Sequence, residues 1–286
     1  MNILSIQSWV SYGHVGNASA MFPLQRLGAE VWAINTVQFS NHPGYGDLKG
    51  AVYSGQSVRD LVDGIAARDA FRRCDAVLSG YVGGADIGDA ILHATATVRR
   101  ANPGALYCCD PVIGDTGKGV YVRPGIEDFL RHHALPASDI ATPNRFELER
   151  LTGIDCTSVP GAKRALQHLR GMMLGSGPGC VLLTSLETEQ TPPDSIDMLT
   201  FEGDAYHLLR TPKLGGAFSG AGDAIAALFL FHRLQSGSAR VALEKAGSSV
   251  YGLLRRTAEA GSAEILTVAA QDEFVAPTRV FTAQTV

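Results

Sequence analysis

The sequence has little that would direct it to a membrane, to nucleic acid or out of a cell. No apolar run reaches the ~18 residues of a membrane span. Residues 1–8 lack both the basic region and the long apolar stretch of a signal peptide. No stretch is rich in Lys and Arg, and the formal net charge is −4, which disfavours binding to nucleic acid and to anionic membranes. We therefore expect a cytoplasmic protein with neither nucleic acid nor a membrane as a partner.

Cysteine is sparse, and its spacing argues against a disulfide framework. The five cysteines are an odd number, and no two have the Cys-x-x-Cys spacing of a metal or redox motif. Free cysteines suit a reducing cytosol. Two of them, Cys108 and Cys109, lie in an apolar, strand-like run, where a cysteine is usually buried and inert.

Two common nucleotide-binding signatures are also missing. No Gly-x-x-x-x-Gly-Lys-Ser/Thr sequence occurs, which excludes a P-loop. The set of motifs that marks protein kinases is absent too. A nucleotide-dependent reaction would therefore need another phosphate site.

What the sequence does contain is a regular alternation of short apolar strands and helices. The chain has 286 residues, with neither an internal repeat nor a linker long enough to divide it. The pattern predicts an α/β fold, with a mostly parallel central sheet and helices on both faces, in a single domain spanning residues 1–286. The predicted strands are 3–7, 31–37, 76–79, 105–109, 139–142 and 180–184, followed by a hairpin within 187–210 and a last strand at 264–268.

Helices are predicted between these strands from their periodicity and their end signals. Asn17 has the residue type of an N-cap, and Gly28 that of a helix stop. The predicted helices are about 18–27, 57–72, 86–100, 125–132, 160–174, 224–235 and 238–257, with one more that has Glu147 in its first turns and ends near Gly153.

Polar residues follow several of the predicted strands directly. Ser8, the turn-rich loop 39–46, Tyr81 and Asp110 each come just after a strand. Because ligands of parallel α/β sheets bind beyond the carboxyl ends of the strands, we expect these residues to line a binding site.

One glycine-rich loop leads into a long apolar run. Residues 214–223 contain four glycines and end at Gly220-Ala221-Gly222-Asp223, after which no Gly or Pro occurs until Gly237. The pattern predicts a loop at the N-terminus of a buried helix, where free backbone N–H groups and the helix dipole suit an anion. The same dipole favours the ionised form of Asp223, which could orient and deprotonate a hydroxyl in phosphoryl transfer. Alternatively, the motif is an ordinary loop with an acidic residue at a helix start.

Oxygen donors that could serve a metal ion lie on two other loops. Asp110 and Asp115 belong to one loop, and Thr142 and Glu147 lie around the next strand end and helix. Mg²⁺ needs only a few carboxylates when phosphate oxygens and water complete its shell. The alternative is that Asp110 begins a turn and Glu147 is a solvated helix residue.

Taken together, these motifs resemble those of the pyridoxal kinases of the ribokinase-like superfamily, over nearly the whole chain. The Gly-x-Gly-Asp motif is general to the superfamily, whereas residues 37–42 together with Gln7-Ser8 are more specific to the pyridoxal branch. The resemblance rests on Gln7-Ser8, Val15–Asn17, Phe22–Gln25, Val37–His42, Gly80-Tyr81, Cys109–Val112, Thr142–Asn144 with Glu147, Thr184-Ser185 and Gly220–Asp223.

The resemblance implies a role for each matching position. Asp223 would be the base facing the 5′-hydroxymethyl group of pyridoxal, and the amides of Gly220, Ala221 and Gly222 would form the anion hole. The pyridoxal pocket would include Ser8, Val15, His42, Pro43 and Tyr81. The residues around ATP and Mg²⁺ would be Asp110, Thr142, Asn144, Glu147, Thr184 and Ser185, with Asp110, Asp115 and Glu147 nearest the metal.

The resemblance also implies a homodimer and activation by K⁺. Two positions depart from the family pattern. Trp9 stands where the family often has His, and Pro43 stands where it often has Thr. Loss of that Thr hydroxyl would remove a ligand hydrogen bond worth ~1 kcal/mol, whereas proline would fix φ in the pocket loop. These departures leave the preferred B6 vitamer open.

Two other functions fit parts of the pattern. A hydroxymethylpyrimidine kinase would act on a similar ring-bearing alcohol, but that branch commonly has Cys at the position of Asp223. A protein that only binds or carries pyridoxal 5′-phosphate would need no base beside the phosphate. Changing Asp223 to Ala distinguishes a kinase from a carrier, since only the kinase loses turnover.

Overall fold

A computed structural model describes all residues, 1–286. A ten-stranded sheet runs through it, in the order β12-β11-β10-β9-β8-β5-β4-β1-β2-β3, and β6 and β7 form a separate two-stranded ribbon. The strands are β1 Asn2–Val10, β2 Glu30–Phe39, β3 Gly50–Val52, β4 Ala76–Ser79, β5 Leu106–Cys109, β6 Gly114–Asp115, β7 Gly119–Val120, β8 Ile140–Ala141, β9 Cys180–Leu186, β10 Ser195–Glu202, β11 Ala205–Pro212 and β12 Gln284–Thr285.

The centre of the sheet is parallel and its edges are antiparallel. The strands β2, β1, β4, β5, β8 and β9 pair in parallel. At one edge β3 pairs antiparallel with β2, and at the other β10, β11 and β12 continue antiparallel from β9. The carboxyl ends of all the parallel strands lie on the same side of the sheet, and most of the candidate residues predicted from the sequence lie there. The mostly parallel sheet predicted from the sequence is confirmed.

Helices cover both faces of the sheet. One apolar cluster packs α2, α3, α6 and α7 on one face, and a second packs α1, α8 and α9 on the other. None of these helices combines the length and the apolar character needed to cross a bilayer. The helices are α1 Asn17–Arg26, α2 Gly55–Ala66, α3 Ala85–Ala101, α4 Ile126–Phe129, α5 Leu135–Ala137, α6 Arg145–Thr152, α7 Val159–Met172, α8 Ala221–Ser236, α9 Ala239–Glu259 and α10 Asp272–Val275, with a π-helical stretch Leu130–Ala134 joining α4 to α5.

Two local predictions from the sequence are wrong. Residues 264–268 form no strand, and the last strand is β12, which pairs with β11. Asn17 is the first residue of α1 rather than its cap, and its side chain is buried. Its amide donates to Ile34 O at 3.0 Å and its oxygen accepts from Ser5 Oγ at 2.7 Å, so it links β1 to β2.

Other predicted elements are confirmed with shifted ends. The predicted hairpin consists of β10 and β11, which turn at Gly203 and Asp204. The short strands β3, β6 and β7 were not predicted, because each has only two or three residues and too few positions to show a period. All five cysteines are free and buried.

Candidate functional site

The glycine-rich loop meets the N-terminus of α8, as the sequence predicts. Gly220 is the N-cap residue and has a left-handed φ of 88°. A Cβ at Gly220 would overlap the carbonyl oxygen of His14, so only glycine fits this close approach. Ser19 Oγ donates to Gly220 O at 2.7 Å. The start of α8 is therefore held against the loop that follows β1.

Asp223 lies in the first turn of α8, beside that loop. Burial raises the pKa of Asp223 to about 6, while hydrogen bonds from the amides of Gly16 and of Asp223 itself oppose the shift. The sequence predicts that the helix dipole favours the ionised form of Asp223, but in the structure the largest effect on its pKa is desolvation, which opposes ionisation. At pH 7 a group with this pKa is still about 90% ionised and able to accept a proton.

Three further carboxylates are linked to Asp223 by successive charge interactions, from Asp223 to Asp110, from Asp110 to Glu147 and from Glu147 to Asp115. The pKa of the buried Asp110 is raised well above its usual value by burial first, and then by the charges of Glu147 and Asp223. Burial raises the pKa of Glu147 to about 7, and the charge of Asp115 adds to the effect. The structure therefore brings four acidic residues from three different segments into one electrostatic cluster.

Glu147 also holds the backbone around it in place. It forms a capping box with Asn144 at the start of α6, so the interpretation of Glu147 as a solvated helix residue is wrong. Its Oε2 accepts from Asn144 N at 2.9 Å, and its Oε1 accepts from Ile113 N at 2.9 Å. Glu147 thus fixes the loop after β5 against the start of α6.

The remaining residues expected around the nucleotide lie on neighbouring strand ends. Thr142 Oγ1 donates to Asp110 Oδ1 at 3.0 Å, and Asn144 Nδ2 donates to Gly114 O at 2.9 Å. Thr184 N donates to Pro143 O at 3.0 Å. Ser185 is exposed and has a φ of 52°, which is rare for a residue other than glycine and disrupts the regular course of β9.

The acidic cluster fits a cation that brings ligands of its own. The protein does not contain three His, Cys, Asp or Glu side chains that could hold a metal ion by themselves. However, burial and mutual repulsion both penalise the charged forms of Asp110 and Glu147, and a nearby cation would relieve that penalty. Mg²⁺ that arrives with phosphate oxygens and water matches such a partial site.

Ser8 lies within β1 rather than directly after it, which corrects the sequence prediction, and Val15 lies in the loop that follows this strand. A Cβ at Gly16 would overlap both the carbonyl oxygen and the hydroxyl of Ser8, so the two residues are in direct contact. Because the amide of Gly16 also donates to Asp223, Gly16 contacts both Ser8 and the carboxylate. Val15 precedes Gly16 and is half-buried.

His42 and Pro43 lie in the loop after β2. His42 Nδ1 accepts from Gly44 N at 3.1 Å, which leaves Nε2 as the protonated nitrogen of the neutral ring. Burial lowers the pKa of His42, Lys118 lowers it further and Glu264 opposes the shift, so the ring is neutral at pH 7. Pro43 is exposed and begins a short 3₁₀ turn. Tyr81 follows β4 and accepts a 3.5 Å hydrogen bond from Thr36 Oγ1 at its carbonyl.

Several residues at this site were missed in the sequence. Partial desolvation raises the pKa of Tyr121, and the charges of Glu147, Asp110, Asp115 and Asp223 raise it further. This half-exposed tyrosine therefore borders the carboxylate cluster. Lys118, Tyr45 and Glu264 act on the His42 loop. Their only sequence signal was position, because Tyr121 and Lys118 follow Asp110 closely and Tyr45 lies within residues 39–46. Glu264 had none.

Comparison with known proteins agrees with this fold. The model of the phosphomethylpyrimidine kinase family matches residues 66–268. The pyridoxal kinase of Leishmania donovani, solved in complex with ADP and pyridoxamine, superposes with a TM-score of 0.91 at 29% identity, covering 100% of this chain and 99% of that one. Fold and site together define a kinase of the ribokinase-like superfamily.

Full-length relatives narrow the class further. The pyridoxal kinase PdxY of Granulibacter bethesdensis is 63% identical over 284 residues, which is 99% of both chains. The pyridoxal kinase PdxY of Deinococcus radiodurans is 51% identical over 100% of this chain and 96% of its own. The chain belongs to the pyridoxal kinase family.

Proposed function

We propose that this protein transfers the γ-phosphoryl group of ATP to the 5′-hydroxymethyl group of pyridoxal, giving pyridoxal 5′-phosphate and ADP in vitamin B6 salvage. The proposal rests on residues Gly220–Asp223, where the N-terminus of α8 and the ionisable carboxylate of Asp223 lie close to Ser8. An anion site and a base next to each other are what transfer to an alcohol requires. The family membership supports the same activity.

Asp223 acts as the catalytic base in this proposal. The pyridoxal hydroxyl oxygen attacks the γ-phosphorus, the bond between the γ-phosphorus and the bridging oxygen breaks, and ADP leaves with the electron pair. Asp223 orients the hydroxyl and accepts its proton. The amides of Gly220, Ala221 and Gly222 would donate to the charge on the transferred group, because the first amides of a helix have no partner within the helix. In the structure the Ala221 amide donates to Phe218 O of the preceding loop at 3.2 Å, so it would exchange that bond for one to the phosphoryl oxygen.

The pyridoxal ring would lie between the loop after β1 and the loop after β2. Ser8 would contact the ring, and Val15, His42, Pro43 and Tyr81 would line the pocket. The neutral His42 offers Nε2–H as a donor to an oxygen of the ring substituents. Pro43 cannot provide a hydroxyl there, so we expect selection among the three vitamers to rest on the remaining contacts.

ATP would lie across the ends of β5, β8 and β9. Thr142, Asn144, Thr184 and Ser185 offer hydroxyl, amide and backbone groups at these strand ends. Asp110 and Asp115 would hold Mg²⁺ together with the phosphates, and Glu147, whose oxygens accept backbone hydrogen bonds, would contribute its charge. Bound Mg²⁺ would neutralise charge on the phosphates. We further propose that K⁺ activates the enzyme, and that it works as a cytoplasmic homodimer of single-domain chains spanning 1–286.

The direct test is turnover of the purified protein with ATP, Mg²⁺ and K⁺. Pyridoxal 5′-phosphate formation is followed by absorbance, and hydroxymethylpyrimidine is tested in parallel through ADP release. We expect pyridoxal to be phosphorylated at least tenfold faster. Turnover of the pyrimidine alone would replace the proposal with a hydroxymethylpyrimidine kinase, and tight binding of pyridoxal 5′-phosphate with no turnover of either compound would indicate a carrier.

A further inference from the structure

A segment near the end of the chain, residues 262–267, contacts both loops that flank the pyridoxal site, although it belongs to neither. We use three names: the first loop is residues 13–19, which include the first turn of α1, the pocket loop is residues 39–49, and the clamp segment is residues 262–267. The first loop supports Gly220, and the pocket loop carries His42. The clamp segment has no role in the proposed chemistry, so its contacts need another explanation.

Glu264 contacts the two loops with opposite oxygens of one carboxylate. Its Oε2 accepts from His14 N at 3.0 Å, and its Oε1 accepts from the phenol of Tyr45. The contact with Tyr45 raises the pKa of that phenol to about 12, so it remains a donor throughout the neutral range. A Cβ at Gly13 would overlap the carboxylate, which therefore packs directly on the first loop.

The clamp segment is itself fixed, so Glu264 is a rigid anchor. Ser262 Oγ donates to Glu264 O at 2.6 Å and accepts from Glu264 N at 3.2 Å. Ile265 is buried and lies under Gly220. Thr267 Oγ1 lies 3.3 Å from Nδ1 of His14 and holds the ring of the same residue whose amide Glu264 binds.

We infer that Glu264 and Tyr45 are positioning residues for the pyridoxal pocket, with Glu264 setting the distance between the first loop and the pocket loop. The inference rests on the proposed function and deepens it. Tyr45 belongs to the pocket loop, which carries His42, and its ring also lies 6.2 Å from the ring of Tyr12, a contact that phenylalanine would keep. Glu264 also reaches the first loop, which supports the anion hole through His14 and Gly220. The two residues should therefore affect different kinetic parameters.

Apart from Glu264, the pocket loop is bound to the rest of the protein mainly near its start, where Ser11 N donates to Phe39 O at 2.8 Å and Tyr12 N donates to Ser40 O at 2.9 Å. It is mostly exposed, and Tyr45 is 46% exposed. When a loop adopts its binding-competent conformation only part of the time, the apparent dissociation constant equals the intrinsic one divided by that fraction. Removal of the phenol should thus weaken pyridoxal binding and leave the phosphoryl-transfer step unchanged.

The experiment compares Tyr45→Phe and Glu264→Ala with Tyr53→Phe as a matched control. The Tyr53 phenol is exposed and makes no side-chain hydrogen bond in the structure. Tyr45→Phe should raise the KM for pyridoxal at least threefold, with kcat and the KM for ATP within twofold of the parent. Glu264→Ala should raise that KM and also lower kcat at least threefold. The double variant should have the same KM for pyridoxal as Glu264→Ala, because both substitutions remove the same hydrogen bond between Tyr45 and Glu264.

A second readout does not depend on activity. Trypsin cleavage after Lys49, at the end of the pocket loop, should be at least threefold faster in Tyr45→Phe than in Tyr53→Phe. Saturating pyridoxal should slow it in both. If the parent phosphorylates pyridoxal and Tyr45→Phe matches Tyr53→Phe in both KM and cleavage rate, the inference is wrong. If the parent does not phosphorylate pyridoxal, the proposed function fails, and the cleavage rates alone decide whether Glu264 holds the loop.

Discussion

The contact between Gly220 and His14 leads to a quantitative prediction for the anion hole. Gly220 and Gly237 cap the two ends of α8, and both have left-handed backbone angles, with φ of 88° and 68°. They differ in their surroundings. A Cβ at Gly220 would overlap His14 O, whereas a Cβ at Gly237 would meet nothing within 4 Å. Alanine at Gly237 should therefore introduce backbone strain alone, whereas alanine at Gly220 should introduce the same strain and also displace the loop that contains His14.

The magnitudes follow from these two differences. Alanine in the left-handed region costs about 1–2 kcal/mol, so both Gly220→Ala and Gly237→Ala should lower the free energy of unfolding by about that amount. In Gly220→Ala the overlap also forces the backbone to move, which adds about 1–3 kcal/mol, as overpacking does in a core. A displaced donor in an anion hole costs about 10²–10³-fold in kcat. Only Gly220→Ala should show that loss.

Urea unfolding and steady-state kinetics on the two variants provide the assay. Gly237→Ala should retain kcat within twofold of the parent, which makes it the control for strain alone. If Gly220→Ala also retained kcat within threefold, the amides at the start of α8 would not serve the transferred phosphoryl group, and the reasoning would be refuted.

Two further predictions concern the buried carboxylates. Asp110→Asn should raise the free energy of unfolding by about 0.5–2 kcal/mol at pH 8 and lower kcat at least tenfold, since a charged functional site commonly sacrifices stability. The pKa of Asp110 is raised in the folded protein, so its ionisation lowers the free energy of unfolding once the pH exceeds the pKa of the unfolded chain. The extra stability of Asp110→Asn should therefore disappear towards pH 4, and extra stability that is independent of pH would contradict this cause. Because the pKa of Asp223 is about 6 and only its ionised form accepts a proton, kcat/KM for pyridoxal should fall about tenfold between pH 7 and pH 5; a profile flat to pH 5 would mean that another group is the base.

Patterns long enough to repeat predicted most of the fold. The parallel strands β1, β4 and β5 and the helix α8 each follow from apolar runs between turn residues. The elements that the sequence did not predict are short, or they pair with segments that are distant in the chain. β12 has two residues and pairs with a strand far back in the chain. The apolar run at 265–268 resembled a strand, but its residues instead pack beneath Gly220 and beside His14.

The residues of the candidate site also fall into two groups, those with a local sequence signal and those that depend on distant contacts. Gly220–Asp223 and Asp110 carry local signals, a glycine turn and a strand end, so the sequence alone could locate them. The pKa of Asp223 could not be predicted, because it depends on burial by segments far away in the chain. Glu264 lies 250 residues from His14 and 219 from Tyr45, and no local pattern marks such contacts. Long-range contacts of this kind become visible only in the folded chain.

The central claim is that Asp223 is the base in phosphoryl transfer to pyridoxal. The most direct measurement compares turnover and pyridoxal affinity in Asp223→Asn, which keeps the shape of the side chain and removes its ability to accept a proton. We expect kcat to fall about 10²–10⁴-fold, the range typical of general-base removal, with the dissociation constant for pyridoxal within about fivefold of the parent. Turnover within threefold of the parent would contradict the claim.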